Sequence, residues 1–203
     1  MSDFWNHTRI YWTSGGALLI PIAVVCLGIW GYFLRSRDRM CSLVRESREL
    51  EEQVATHGLD PLPEQGRLAT WLRRIADDIR GGASPRTAFH LRTDECMEQL
   101  RRDIIVLGAL TAVAPLLGLL GTVRGMIETF SAVARVAGNT GVEVADGISQ
   151  ALITTQFGLV VAVPGVFGIA RLRALLLEVE ARIGSLRATA LTRIEAPAIE
   201  DAV

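Results

Sequence analysis

Hydrophobic and polar positions along this chain are sorted into blocks. Three windows, Ile10 to Leu34, Ile104 to Val123 and Gly147 to Ala170, run for 25, 20 and 24 residues without a charged side chain. A helix rises about 1.5 Å per residue and a bilayer's hydrocarbon core is about 30 Å thick, so each window is long enough to cross it. Lipid-exposed segments must satisfy their backbone polar groups internally, and windows of this length do so as helices. The pattern predicts an all-α integral membrane protein with three transmembrane helices, at residues 10–34, 104–123 and 147–170, and helical extensions outside the membrane.

The 21 arginines and 22 acidic residues, which leave a net charge of -1, all lie outside these windows. Arginines flank one side of each span: Arg35, Arg37 and Arg39 after the first, Arg101 and Arg102 before the second, Arg171 and Arg173 after the third. Cytoplasmic flanks collect positive residues, so an external N-terminus (residues 1–9) and a cytoplasmic C-terminus satisfy every flank. Residues 35–103 then form a cytoplasmic segment, 124–146 an external loop and 171–203 a cytoplasmic tail. The first run is read as a retained span. It exceeds the roughly 7–15 residues of a signal-peptide core, its leading segment has no net positive charge, and Arg35 follows without a small-residue cleavage pattern. Phe4, Trp5, Tyr11 and Trp12 sit at or before its start, where amphipathic rings lie at headgroup level.

The segment 35–103 interleaves 13 Arg with 13 acidic residues, which suits solvated helices with opposite charges three or four apart. Asp60-Pro61-Leu62-Pro63 and Gly81-Gly82 divide it into a hairpin-like set of helices. In the tail, Leu172, Leu175, Leu176, Val179, Ile183 and Leu186 keep helical spacing, which prolongs the third span to Pro197.

Chemistry-bearing clusters are scarce. Cys26, Cys41 and Cys96 are scattered, as are His7, His57 and His90, so neither a metal centre nor a disulfide framework is predicted, and no cofactor. The near-neutral charge and low aromatic content argue against nucleic-acid binding. No nucleophile–base pair or phosphate loop is present, and the glycines from Gly118 to Gly125 lack the Gly-Lys-Ser/Thr ending, so no enzyme is predicted.

Polar and small residues inside the spans are informative, because an anchor would be apolar all round. At 100° per residue, Thr111, Pro115, Gly118, Thr122 and Gly125 share an arc of about 80° on the second span. On the third, Gly147, Gln150, Ala151, Thr154, Thr155, Gly158, Ala162 and Gly165 fall within about 140°, with Ser149 and Gln156 on the opposite, apolar side. Two readings fit. Small residues four apart, as in Gly121 and Gly125 or Gly147 and Ala151, let helices pack closely. Alternatively the stripes face a pore or partner helix, where threonine and glutamine serve water or an ion without a buried charge. No titratable group lies in the second or third span, so a proton relay would need an acid from another chain.

The stretch from Ala114 to Ile127, APLLGLLGTVRGMI, resembles the second-span motif of the ExbB/TolQ/MotA proton-channel family. Gly147 to Thr155, GISQALITT, followed by Gly158 to Gly165, GLVVAVPG, is similar to its third-span motif; the likeness covers about residues 100–190. The resemblance implies an ExbB-like inner-membrane subunit, a ring usually of five copies around single-span ExbD-like partners whose transmembrane Asp carries the proton, with force passed to a TonB-like protein. Thr122 and Thr155 match the family's pore threonines, with Gln150, Thr154 and Thr111 beside them on the ion path and Gly118, Gly121, Gly125, Gly147, Ala151, Gly158 and Ala162 as packing positions. Gln150 stands where ExbB and TolQ proteins of the best-known type carry Glu, so that carboxylate does not transfer. Three spans favour the ExbB/TolQ side over four-span MotA stators. A TolQ-like envelope-integrity role and a passive scaffold for a single-span partner are the alternatives.

Overall fold

The computed structural model describes residues 18–57, 66–135 and 140–200, and among them every regular element is a helix. In order these are α1 (Leu19–His57), α2 (Arg67–Arg80), α3 (Pro85–Arg135) and α4 (Thr140–Glu200). Three of them, α1, α3 and α4, are long and apolar enough to cross a membrane. The chain divides into two compact units: residues 1–33 with 105–169, and residues 34–104 with 170–203.

The first unit is apolar on its outside and small on its inside. Leu116, Leu119, Val160, Val163 and Phe167 are exposed, whereas Ala114, Gly118, Gly121, Ala151, Gly158 and Ala162 are buried. That inversion of a water-soluble core is expected of helices solvated by lipid, where close backbone approach drives association. From α1, Leu19, Ile22 and Ile29 are buried, and Phe33 lies against Gly168.

The second unit has an ordinary hydrophobic core. Met40, Leu43, Leu50 and Val54 recur on one face of α1, and Leu68, Leu72 and Ile75 on one face of α2. Phe89, Met97 and Leu100 of α3 join Leu172, Leu175, Val179, Ile183 and Leu186 of α4. Spacings of three and four make each stripe. Trp71 meets Phe89 edge-on at 6.0 Å, and its indole Nε1 donates to the Arg92 carbonyl at 2.9 Å, so the ring is buried with its polar atom satisfied.

Local chemistry sets the helix ends here. The first turn of α2 has no cap of its own; Glu46 of α1 accepts from the Leu68 N–H at 2.9 Å instead. Gly82 takes φ of 96°, a left-handed conformation that stops α2 beyond Arg80 and its cap Gly81, and Ser84 precedes the first residue of α3, Pro85, its hydroxyl accepting from the Thr87 N–H. Ion pairs tie helix to helix: Arg92 grips Asp78 with two nitrogens at 2.8 and 3.2 Å, Arg39 meets Asp103 at 2.9 Å and Arg101 meets Glu180 at 2.7 Å. The Arg92 hydrogen bonds hold the Asp78 carboxyl below the usual carboxylate range, and burial pushes the Cys96 thiol up.

Two boundaries differ from the sequence expectation. Much of residues 124–146, expected as a loop, is helical: α3 continues to Arg135 and α4 begins at Thr140. Charge ends an apolar window without ending a helix, and Arg124 pairs with Glu128 one turn on at 2.8 Å. The tail helix passes Pro197 to reach Glu200. Residues 1–17, with the aromatic flank and the start of the first span, and the Asp60–Pro63 break lie outside the described residues.

Candidate functional site

The stripes on α3 and α4 face each other. The helices run antiparallel in tight register: Gly125 lies against Ala151 and Gly147, Gly121 against Thr154, Gly118 against Thr155 and Gly158, and Gly158 also against Ala114. A methyl carbon on Gly118 would stand 3.0 Å from the Thr155 Cα, and one on Gly158 would stand 2.7 Å from the Ala114 carbonyl oxygen. One on Gly121 would overlap the Thr154 hydroxyl. Backbone therefore meets backbone along this seam, and the packing positions Gly118, Gly121, Gly125, Gly147, Ala151 and Gly158 all lie in it. Ala162 is buried on the same stripe.

Threonines fill the notches that the glycines leave. Thr154 enters the notch at Gly121, Thr111 the one at Gly165 and Thr129 the one at Gly147. All three are buried, and their hydroxyls donate to carbonyls of their own helix, Thr111 to Leu107, Thr129 to Gly125 and Thr154 to Ala151, each at 2.8 Å. Thr111 and Thr154 thus sit inside the helix contact. Thr129 and the partner role of Gly165 escaped sequence reasoning, although Thr129 follows Gly125 at the same four-residue step.

Thr122, Thr155 and Gln150 occupy different ground. Each is half-buried at the margin of the seam. Thr155 donates across it to the Gly118 carbonyl at 3.0 Å, and also lies 3.4 Å from the Ala151 carbonyl. Thr122 donates to the Leu119 carbonyl at 2.7 Å. In both, the hydroxyl proton is engaged and oxygen lone pairs remain to accept a hydrogen bond. Gln156 and Ser149 are exposed on the far side of α4. Between Ile105 and Val123, and between Gly147 and Ile169, no side chain titrates. The site can offer neutral donors and acceptors but cannot itself carry a proton by changing charge.

Comparison with known proteins addresses the same region. Residues 47–184 match the MotA/TolQ/ExbB proton channel family. The biopolymer transport protein exbB1 of Vibrio cholerae is 44% identical over 75 residues, 36% of this chain and 33% of that protein. The biopolymer transport protein ExbB of Salmonella typhimurium is 36% identical over 87 residues, 42% of this chain and 36% of that one. The Tol-Pal system protein TolQ of Haemophilus influenzae is 36% identical over 85 residues, 42% of this chain and 37% of that one. The chain spans little more than a third of the length of these relatives. The family is one of proton channels and not of enzymes, and the family match covers well over half of this chain, including the whole α3–α4 seam. With three membrane-length apolar helices, this chain is a multi-pass membrane protein and belongs to the MotA/TolQ/ExbB proton channel family.

Proposed function

We propose that the chain is an ExbB-like stator subunit of a bacterial inner-membrane complex that couples proton-motive force to TonB-dependent outer-membrane transport. Its neutral polar groups line the route, and a single-span ExbD-like partner brings the transmembrane Asp that titrates. One observation carries this reading: Thr122 and Thr155 stand half-buried, within about one turn of each other in depth, beside a closely packed glycine seam with no titratable group of its own. A fixed seam holds the hydroxyls in place, and hydroxyl oxygens that can still accept suit a water chain or a protonated carboxyl. Gln150 contributes an amide but no charge. Thr111 and Thr154 support the route from within the seam. The arginine flanks support an N-terminus in the periplasm and a C-terminus in the cytoplasm, and the proposed ring has five copies.

The test is proton flux into liposomes holding this chain with its single-span partner. Thr122→Val with Thr155→Val is expected to lower flux at least tenfold while the complex still assembles, and flux equal to the parent would remove these roles. Replacing the partner's Asp should abolish flux; no flux from the parent complex under any gradient would favour a passive scaffold. A TolQ-like role in envelope integrity has one observation in its favour, the similarity to the TolQ protein, and rescue of a strain lacking TolQ rather than ExbB would select it.

A further inference from the structure

In the second unit, the hairpin of α2 and α3 leaves a groove of about 350 Å³ between its two helices. Ligand pockets begin at about 300 Å³, so the space suits a small molecule. Arg67, Thr70 and Arg74 recur along the α2 side, and Arg92, Cys96 and Gln99 along the α3 side. Both sets keep the spacing of one helical face. Leu68 and Leu100 are buried beneath them.

The acids around this groove are engaged, and two of its cations are not. Arg92 holds Asp78 at 2.8 and 3.2 Å and Glu95 at 3.2 Å. Glu46, beside Gly66 at one end, accepts from the Leu68 N–H. The Thr70 hydroxyl donates to the Gly66 carbonyl. The Arg67 and Arg74 guanidinium groups and the Gln99 amide, by contrast, have no hydrogen-bond or ion-pair partner among the described residues. Burial pushes the Cys96 thiol up and the Arg67 charge works against that, which sets the guanidinium beside the groove.

Two unmatched guanidinium groups call for a ligand of about two negative charges. Each presents a fork of N–H donors that fits phosphate or carboxylate, and Gln99 adds two more donors. A single carboxylate has one charge and two oxygens. A phosphate dianion has the second charge and at least one further acceptor oxygen. Depth separates a free phosphate from a lipid headgroup. Gln99 and Arg92 precede the charge-free window at Ile104 by five and twelve residues, about 8 and 18 Å along α3. Trp71 meets the Arg92 carbonyl, which puts Arg74, one turn nearer the hairpin bend, at about the far level. Headgroups occupy only about 5–8 Å beyond the hydrocarbon, so a lipid phosphate stops short of Arg74.

We propose that this groove is a binding site for a soluble phosphate dianion, free or as a small monoester. Arg67 and Arg74 grip it, and the Gln99 amide donates a further hydrogen bond. No part of the polar route enters its test.

Full-length protein in detergent is titrated with inorganic phosphate by calorimetry, at about 0.15 M salt to screen exposed charges. One saturable site per chain is expected. Arg67→Gln with Arg74→Gln should weaken it at least about tenfold without changing the melting temperature of the unliganded protein. Arg45→Gln with Arg48→Gln, the same loss of charge at exposed α1 positions outside the groove, should leave binding unchanged. No saturable binding by the parent, or equal weakening by the two pairs, would overturn the site. Succinate bound as tightly as phosphate would overturn the preference for phosphate. Displacement of phosphate by short-chain phosphatidylglycerol would assign the groove to a lipid headgroup and overturn the soluble ligand.

Discussion

Each glycine of the seam is matched to one opposing residue, and this makes substitution there directional. Gly121→Ala places a methyl into the Thr154 hydroxyl, and overpacking of this kind costs about 1–3 kcal/mol. Gly28, by contrast, has open space where its methyl would go. Gly28→Ala should therefore leave the melting temperature in detergent unchanged while Gly121→Ala lowers it, and Thr154→Ala should restore part of the loss in the double variant. Equal effects of the two glycine substitutions would mean that the notch does not constrain the fold. Thr155 works differently, because it holds the Gly118 carbonyl of the other helix. Its replacement by Val removes about 0.6–2 kcal/mol of interhelical hydrogen bonding, and the same melt would register it.

At the scale of elements, α2 depends on its neighbours. It begins at a glycine without a side-chain cap and borrows the carboxylate of Glu46, so Glu46→Ala should lower stability by about 1 kcal/mol, read by thermal denaturation, with Glu46→Gln losing less. Its other end is fastened by Asp78 to Arg92 of α3. The Asp78 carboxyl has a lower pKa folded than unfolded, so the pair contributes fully above the unfolded carboxylate value of about 4 and is lost as the pH falls through the lower folded value. Acidification from about pH 5 to pH 3 should lower the melting temperature, and Asp78→Asn should flatten that slope. An equally steep slope in the variant would assign acid sensitivity to other carboxylates. The same elements limit sequence reading. Gly81-Gly82 announces its break, whereas the Arg124–Glu128 pair resembles a loop start and is a helical turn.

Across the whole molecule, the chain builds one unit whose α3–α4 seam is glycine, alanine and threonine and another whose buried core is leucine, isoleucine and aromatic. Lipid offers no hydrophobic reward for burying leucine, so close packing of small residues organises the first; water supplies that reward for the second. Proton flux and stability read different parts of this design. Glu46→Ala should reduce stability and leave flux per assembled complex unchanged. Loss of flux per complex in Glu46→Ala would instead tie the charged unit to conduction.

Sequence alone determined the fold class, the number of apolar spans, the two small-residue stripes and the absence of a titrating group within them. Each of these follows from residue type and period, which need no knowledge of a partner surface. The tertiary structure decided which residue meets which. Thr111 lies on the α3 stripe and Thr154 shares the α4 stripe with Thr155, but only the register of α3 on α4 places the first two inside glycine notches and leaves the third bridging helices at the margin. A stripe's angle fixes the face a residue occupies; the distance to the opposing backbone, set by the register, separates packing from a polar path.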